Sequence, residues 1–456
     1  MNRPARPQTS KLKQSITGPL LFLFILGDVL GAGIYALVGK VAGEVGGAVW
    51  IPLALALFLA MLTAASYAEL VTKYPKAGGA AVFAERAFKV PLISFLVGFC
   101  MLAAGVTSAA GLSLAFAGDY LKPFLDVPAT PTALLFLLLI ALLNARGVKE
   151  SVRANVVMTV IEVSGLVLVI VLVGLMFGRG DGDVSRVVEF NPAVSPGAGI
   201  LAASLLAYYS FVGFETSANV AEEVRDVHRV YPKALFGALL TAGGIYILIG
   251  LASSIALPAS DLNSSSGPLL QVVQATGFGV PDWVFGLVAL IAVANGALLT
   301  MIMASRLAFG MAEQSLLPAG MGRVLPKRRT PWVAIAVTTL AAMALTATGD
   351  LGSLAETVVL LLLFVFISTN VAVLVLRKDR VEHEHFRVHV IIPCLALASC
   401  ALLLFQQDAE IWLRAAILLG IGLVLFFFTR WIQARKGSNY PAGENHATVE
   451  KEPLES

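Results

Sequence analysis

Twelve apolar runs occupy most of this sequence and decide what it can fold into. A helix needs about 20 apolar residues to cross about 30 Å of hydrocarbon, and most of the runs reach that length. We therefore expect an all-α integral membrane protein with 12 transmembrane helices. The runs, of which the fourth is the shortest, cover residues 19–40, 47–71, 92–121, 132–144, 156–177, 200–221, 234–257, 283–310, 333–348, 354–376, 388–405 and 411–432.

The composition excludes several classes of protein. Hydrophobic residues make up 58% of the chain and charged residues 13%, and a water-soluble globule could hardly present that balance to solvent. The net charge of +3 lacks the basic field that holds nucleic acid, so no nucleic-acid partner is expected. No phosphate-binding loop, nucleophile elbow or zinc-protease motif occurs, which predicts neither an enzyme nor a cofactor.

Two features could suggest a metal site, and neither favours one. Cys100, Cys394 and Cys400 all lie in apolar runs and lack the spacing of metal ligands. The segment HEHFRVH (383–389) has ligand residue types but is typical of a short charged connector between two membrane helices. We therefore predict no metal site.

Lysine and arginine residues fall almost entirely on one side of the predicted bundle. If the N-terminus is cytoplasmic, nearly all of the 32 basic residues lie in cytoplasmic segments. The exceptions are Lys40, Lys122, Arg179, Arg186 and Arg414. Because cytoplasmic loops are enriched in basic residues, we predict a multi-pass protein of the plasma membrane with both termini cytoplasmic. The polar tails, 1–15 and 437–456, are expected to be disordered.

The segment GDVLGAGIYALVG (27–39) places an aspartate and a pair of glycines inside the first run. Gly31 and Gly33 weaken a helix, and unwinding there frees backbone groups that lipid cannot satisfy. Beside a cavity, the half-helix that begins near Gly33 would direct amide donors at an anion, and the half-helix that ends near Leu30 would offer carbonyl groups to a cation. A zwitterion fits both ends. The alternative is a close contact between helices through small residues.

The segment SFVGFETSANVAEEV (210–224) repeats this pattern in the sixth run, with Gly213 and Glu215 in mid-span. Discontinuous helices at corresponding places in two halves indicate a transporter with inverted repeats. The second copy is inverted because the two interruptions are an odd number of spans apart. The predicted organisation is a first five-helix repeat at 16–178, a second, inverted repeat at 198–376 and two additional helices at 387–436.

Five motifs follow one another along the chain. They are LGAGIYALVG (30–39), SYAELVTKYPKAGGAAVFAERAF (66–88), NARGVKESVRAN (144–155), FVGFETSANVAEEVRD (211–226), and SRLAFGMAEQSLLP followed by TPW (305–318 and 330–332). In this order the chain resembles the amino acid-polyamine-organocation superfamily, most of all its cationic amino acid transporter branch or a bacterial relative. The resemblance extends over residues 12–435. It implies a leucine-transporter-like core of ten helices plus two peripheral ones, which transports amino acids by alternating access.

The resemblance also implies a substrate site built mainly from backbone. The substrate carboxylate would meet the amides of Ala32, Gly33 and Ile34, and the ring of Phe211 would close over the substrate as the outer gate. The amino group would meet carbonyl groups near Val29, Leu30, Phe211 and Gly213. The implied substrate-binding set is Val29, Leu30, Gly31, Ala32, Gly33, Ile34, Phe211, Val212, Gly213, Phe214 and Glu215. Candidates for side-chain selectivity are Gly105, Thr107, Ser108, Phe214, Glu215 and Asn295.

Acids inside the membrane are candidates for ion coupling. Many relatives have a lysine in mid-span five, where sodium-coupled cousins hold a cation, and that position falls on Glu162. Glu162 could bind and release the coupling proton, alternating partners with Asp28, because a desolvated carboxyl group favours its protonated form. A structural, protonated acid and direct coordination of sodium are the alternatives. Glu215 could bind a cationic substrate group, bind a proton or serve helix packing.

The remaining predictions concern the gate and the partners. Glu222 and Glu223 could pair with Arg306 or Arg153 to close the cytoplasmic side, or could form a solvated helix end. The expected partners are a small-molecule amino acid or amine, a proton and the lipid bilayer, with the protein as a monomer or homodimer. Span three lacks a central acid, which disfavours arginine or lysine as the substrate. A transporter of polyamines or other amines and a non-transporting amino acid receptor are the alternative functions.

Overall fold

The computed structural model describes residues 16–31, 33–76, 78–146, 151–325, 328 and 330–435, with backbone alone at 151–155 and 433. Its helices are α1 (Gly18–Leu30), α2 (Gly33–Val45), α3 (Trp50–Lys73), α4 (Gly79–Phe88), α5 (Pro91–Phe116), α6 (Ala129–Arg146), α7 (Ser151–Gly178), α8 (Pro196–Tyr209), α9 (Val227–Ala256), α10 (Ala259–Ser264), α11 (Pro268–Ala275), α12 (Asp282–Glu313), α13 (Trp332–Thr346), α14 (Leu351–Leu376), α15 (Ile391–Phe405) and α16 (Ala409–Arg435). Short 3₁₀ helices occupy Val184–Val188, Phe214–Glu223 and Ala319–Gly322. Between these helices the described residues form two isolated β-bridges and no longer strand.

Nine helical segments in the described residues are long and apolar enough to span a membrane, and one of them is α8 together with the 3₁₀ helix Phe214–Glu223. The pair α1 and α2, which meet at 42° across a short break, passes the same test as one broken span. Two further apolar helices, α13 and α15, lie on the ninth and eleventh predicted runs but contain only 15 residues each. The fold is therefore an all-helical, multi-pass membrane protein. The number of 12 spans and the inverted repeat stay predictions.

Burial separates the inner helices from the outer ones. In α5 and α14, 67% of the most apolar stretch is buried, against 22% in α16. The inner helix α5 packs against α12, α14 and α4. On α16, Val424, Phe427 and Trp431 are exposed, as expected of side chains that face lipid. The last helix therefore lies at the edge of the bundle.

Three details differ from the predicted helices. The sixth run is α-helical only to Tyr209, and its second half is the 3₁₀ helix Phe214–Glu223. Gly213 between them has φ +127, which an α-helix does not allow. The other two are short helices in connectors: α4 follows α3, and α10 with α11 lies between α9 and α12. Their apolar segments are too short to stand out against membrane-length runs.

Candidate substrate site

The first break lies where α1 ends at Leu30 and α2 begins at Gly33. Gly31 has φ −24 and ψ −169, which is not helical, so the backbone turns out of the helix there. Ala32, which belongs to the predicted carboxylate site, lies outside the described residues. The amide end of α2 and the carbonyl end of α1 therefore face each other across the break.

The second break lies between α8 and the 3₁₀ helix Phe214–Glu223. A turn follows Tyr209, with the amide of Val212 donating to the Tyr209 carbonyl at 3.0 Å. Gly213 then has a left-handed φ of +127, a conformation that L side chains rarely adopt. Beyond the break, the amide of Ile16 donates to the Glu223 carbonyl at 3.0 Å, which ties the start of the first span to the end of the sixth.

The two breaks touch each other through their glycines. A Cβ atom on Gly33 would lie 2.9 Å from the Cα atom of Ser210. A Cβ atom on Gly213 would lie 2.8 Å from the carbonyl oxygen of Asp28. Real Cβ atoms do not approach other atoms this closely, so each glycine allows the backbone of the other break to come near.

One side chain that the sequence analysis did not select joins both breaks. The hydroxyl group of Tyr246, on α9, lies 2.6 Å from the Val29 carbonyl oxygen and 3.1 Å from the Ser210 carbonyl oxygen. The ring of Phe211 packs edge-on against the Tyr246 ring, with centroids 5.2 Å apart. The only sequence signal for Tyr246 is a tyrosine in the middle of an otherwise apolar span.

A cavity of about 2350 Å³ begins at the breaks and opens on the side that the basic residues predict to be cytoplasmic. Near the breaks its wall contains Gly27, Asp28, Val29, Gly31, Gly33, Ser210, Val212, Gly213, Glu215 and Thr216. At its wide end the wall contains Lys76, Glu85, Arg86, Lys89, Glu223, Arg306, Lys378 and Arg430. The described conformation is thus open to one side, with both breaks at the deep end.

The predicted substrate-binding residues fall into two groups. The cavity wall contains Val29, Gly31, Gly33, Val212, Gly213 and Glu215, together with Asp28, which the sequence predicts for proton coupling. Leu30, Ile34, Phe211 and Phe214 are almost fully buried and lie outside it. Phe211 therefore packs beside Tyr246 in this conformation, and its role as a gate stays a prediction. Phe214 stacks on Phe366 instead.

The selectivity candidates divide in the same way. Gly105 and Ser108 lie in the cavity wall, and the Ser108 hydroxyl is 2.8 Å from that of Tyr209, another wall residue. Thr107 is buried and donates to the Ala103 carbonyl of its own helix at 2.8 Å. Asn295 is buried outside the wall, where its side chain binds Glu162.

Three acids surround the breaks in different environments. Asp28 is half-buried, and its carboxylate accepts a hydrogen bond from the Thr216 hydroxyl of the second break. Glu215 is 3% exposed, and its Oε2 atom accepts from the Gly213 amide at 2.9 Å. Glu162 is fully buried between α7 and α12, and its Oε1 atom accepts from Asn295 Nδ2 at 3.1 Å. Its Oε2 atom has no hydrogen-bond partner among the described residues.

The predicted cytoplasmic gate is open in this conformation. Glu223 and Arg306 both line the cavity, whereas Glu222 does not. Within the described part of the chain, no ion pair joins either glutamate to Arg306. The side chain of Arg153 lies outside the described residues. Pairing of these residues stays a prediction for a closed conformation.

The histidine-rich connector contacts the end of α3. His383 Nε2 lies 3.3 Å and His228 Nδ1 lies 2.9 Å from the Thr72 carbonyl oxygen, and the two rings pack with centroids 4.7 Å apart. Nearby, the carboxylate of Glu69 accepts from the Val388 amide at 2.9 Å. No group of three or more potential metal ligands occurs among the described residues. These contacts fasten the connector between α14 and α15 to α3.

Comparison with known proteins identifies permeases over nearly the whole chain. The family model described as amino acid permease matches residues 19–428. The branched-chain amino acid permease BcaP of Bacillus subtilis is 26% identical, covering 91% of this chain and 93% of its own. The low-affinity putrescine importer PlaP of Escherichia coli K12 is 26% identical, covering 93% and 96%. The vacuolar cationic amino acid transporter 4 of Arabidopsis thaliana is 29% identical, covering 77% and 61%.

Proposed function

Because this chain belongs to the amino acid permease family of the amino acid-polyamine-organocation superfamily, we propose that it is a proton-coupled or exchange-type secondary transporter of amino acids. The resemblance stated from the five motifs is confirmed, and so is the expectation that the protein is a transporter and not an enzyme. The observation that supports the proposal best is the contact of two broken helices at the deep end of a cavity open to one side.

Alternating access follows from this arrangement. Substrate that enters the cavity reaches the breaks, where α2 presents its first amide groups and α1 its last carbonyl groups. To release substrate on the other side, the cavity must close around the Glu223 and Arg306 end and a path must open beyond the breaks. The broken helices provide hinges for that movement, because their halves are not held by continuous helical hydrogen bonds.

The proposed binding site follows the two helix ends. The carboxylate of an amino acid binds near the first amides of α2, around Gly33, where the helix dipole favours an anion. Its ammonium group binds on the side of α1 and the second break. Gly33 and Gly213 lie in the cavity wall, which makes both ends of the site accessible.

Proton coupling is proposed at Glu162. A fully buried carboxyl group with one hydrogen-bonded oxygen and one unpartnered oxygen among the described residues suits a group that gains and loses a proton. Asp28 lies on α1, which packs against the helix α7 that carries Glu162, and it contacts the cavity. Proton movement between the cavity and Glu162 would then depend on Asp28.

The test is uptake by purified protein in liposomes. The probes are labelled L-leucine, L-alanine, L-lysine and putrescine, with and without an inward proton gradient. Glu162→Gln is compared with wild type and with Glu356→Gln, a control acid of α14 that lines a separate pocket with Lys40 and Asp350. Proton-stimulated uptake that loses its gradient dependence in Glu162→Gln alone supports the proposal.

The other outcomes choose between the alternatives. Uptake that does not respond to the proton gradient and is unchanged in Glu162→Gln would support a transporter in which Glu162 has a structural role. Uptake driven by a sodium gradient would assign Glu162 to sodium. Binding without flux would make the protein a receptor. Counterflow of labelled substrate separates a carrier from a channel.

Location and assembly are part of the proposal. We place the protein in the plasma membrane with both termini cytoplasmic, on the distribution of its basic residues. It acts as a monomer or homodimer. The similarity to a putrescine importer favours amine transport as the second candidate function.

A further inference from the structure

We infer that the carboxylate of Asp28 binds the ammonium group of the substrate, so that the ligand class is primary amines, with or without a carboxylate. This inference rests on the proposed function and names the group of the same site that recognises the substrate. It differs from the implied site, in which backbone carbonyl groups alone receive the amino group.

The carbonyl groups expected to bind the amino group are largely engaged or inaccessible. The Val29 carbonyl accepts from the Tyr246 hydroxyl at 2.6 Å. The Gly213 carbonyl accepts from the Thr216 amide at 3.0 Å. Leu30 and Phe211 are fully buried and lie outside the cavity wall. An incoming ammonium group therefore needs another acceptor.

Asp28 is the acceptor that the cavity offers at this depth. It is half-buried in the cavity wall, next to the second break. Glu215 also lines the cavity, but it is 3% exposed and one of its oxygens already accepts from the Gly213 amide. Among the described residues, Asp28 forms no ion pair with lysine or arginine. Its charge is therefore available to a ligand.

The position of Asp28 in its helix strengthens this preference for a cation. Asp28 belongs to the last turn of α1, which ends at Leu30. The C-terminal end of a helix has a partial negative charge, which disfavours an additional carboxylate and favours a bound cation. Thr216 donates one hydrogen bond from the second break and so orients the carboxylate without neutralising it. An ammonium ligand would supply the positive charge that balances the Asp28 carboxylate, and its N–H groups would donate further hydrogen bonds to it.

The ligand class follows from this placement. The amide end of α2 near Gly33 gives an amino acid a second contact through its carboxylate, but the ammonium group alone already has a charged partner. An amine without a carboxylate is therefore expected to bind nearly as well as the matching amino acid. The matching acid without an amine is expected not to bind.

The experiment uses matched compounds and purified protein in liposomes. The compounds are L-leucine, isoamylamine and 4-methylpentanoate, together with L-ornithine and putrescine. Each is tested as a competitor of uptake and as a ligand that raises the melting temperature in detergent. The variants are Asp28→Asn, which keeps the size and removes the charge, Asp28→Glu, and the control Glu85→Gln, an exposed acid of the same cavity wall.

We expect the amines to bind within about threefold of the matching amino acids and 4-methylpentanoate not to bind. Asp28→Asn should weaken amine binding about thirtyfold, the usual loss for a hydrogen bond to a charged group. Asp28→Glu should retain most of it, and Glu85→Gln should match wild type. Folding of each variant is checked by its melting temperature without ligand, and Asp28→Glu decides the question if Asp28→Asn does not fold.

Three results would overturn the inference: amino acids bind and amines do not, Asp28→Asn binds amines as well as wild type, or no amine binds at all. Because the melting temperature reports binding without flux, the proposed function can fail separately. Amines that stabilise the protein through Asp28 without being transported would reject the transporter and support the role of Asp28.

Discussion

The hydroxyl group of Tyr246, on α9, donates a hydrogen bond to the Val29 carbonyl oxygen in the last turn of α1 at 2.6 Å. The same hydroxyl group lies 3.1 Å from the Ser210 carbonyl oxygen of the second break. Each carbonyl group belongs to a segment where regular helix ends, so each needs a donor from elsewhere. One buried tyrosine therefore fixes the two breaks relative to each other.

Tyr246→Phe should loosen both breaks together. The substitution removes one hydroxyl group and leaves the ring that packs against Phe211, so the expected loss is about 1 kcal/mol for the breaks. Hydrogen exchange measured by mass spectrometry should become faster in peptides that contain Gly33 and in peptides that contain Ser210. The matched control is Tyr120→Phe, because the Tyr120 hydroxyl is also buried and donates to a carbonyl, that of Tyr35 at 2.7 Å. Faster exchange at one break alone would contradict the prediction.

Gly213→Ala and Gly33→Ala should each abolish uptake. Alanine at 213 would be strained at φ +127 and would meet the Asp28 carbonyl at 2.8 Å, and alanine at 33 would meet Ser210 at 2.9 Å. We expect a cost of about 1 to 3 kcal/mol at each site and a separation of the two breaks. Gly174→Ala is the control, because nothing lies within 4 Å of a Cβ atom there. Uptake by liposomes at equal protein amounts measures the effect, and wild-type uptake in Gly213→Ala would refute it.

The sequence predicts the two breaks because their physical cause is local. Glycine in the middle of a membrane span is visible in the chain itself, and the structure has non-helical backbone at both positions. The contact between Gly33 and Ser210 depends on how two distant helices pack, so no pattern in one segment specifies it. Tyr246 was missed for the same reason. Its hydroxyl has a partner only once α9 lies against α1.

The acids within the membrane spans show a second limit of what the sequence can predict. A glutamate in an apolar run predicts a buried carboxyl group, and Glu162 is fully buried. Its partner Asn295 was instead expected to select the substrate side chain, because a polar residue in mid-span looks the same whether it faces a cavity or an acid. The 3₁₀ helix Phe214–Glu223 is likewise invisible in an apolar run whose length fits an α-helix.

Asp119 should make the connector between α10 and α11 sensitive to acid. In this connector Ser265 and Ser266 donate to the Asp119 carboxylate at 2.9 and 2.8 Å. Burial raises the pKa of Asp119, but hydrogen bonds from Lys122, Ser265 and Ser266 outweigh it and lower the pKa from 3.8 to about 2. The folded state therefore gains stability above pH 3.8 and loses it as the pH falls to about 2.

Melting temperatures of wild type and Asp119→Asn measure this effect. The variant should melt lower near neutral pH, and the difference should shrink between pH 3.8 and about 2. The control is Asp126→Asn. Asp126 is an exposed acid that lies with Asp119 in the connector between α5 and α6, and the variant should follow wild type at every pH. A difference that stays constant down to about pH 2 would show that the Asp119 charge does not stabilise the connector between α10 and α11.

Cysteine labelling should distinguish the two neighbours Thr107 and Ser108. Ser108 lies in the cavity wall with 7% of its surface exposed, whereas Thr107 is fully buried and donates to the Ala103 carbonyl of its own helix. In a background with the three native cysteines replaced by serine, Ser108→Cys should react with a membrane-impermeant thiol reagent applied from the side on which the cavity opens. Thr107→Cys should react at least about tenfold more slowly, because a buried thiol meets the reagent only when the helix opens locally.

The same pair of variants tests which side the cavity faces and whether a ligand occupies it. Reagent applied to inside-out vesicles reaches the predicted cytoplasmic face, and reagent applied to right-side-out vesicles reaches the other face. We expect rapid labelling of Ser108→Cys in inside-out vesicles and slower labelling when a transported amine or amino acid is present, because the ligand fills the space beside the breaks. Equal labelling of both variants, or faster labelling of Ser108→Cys from the opposite face, would contradict a cavity that joins Asp28 to the cytoplasmic side.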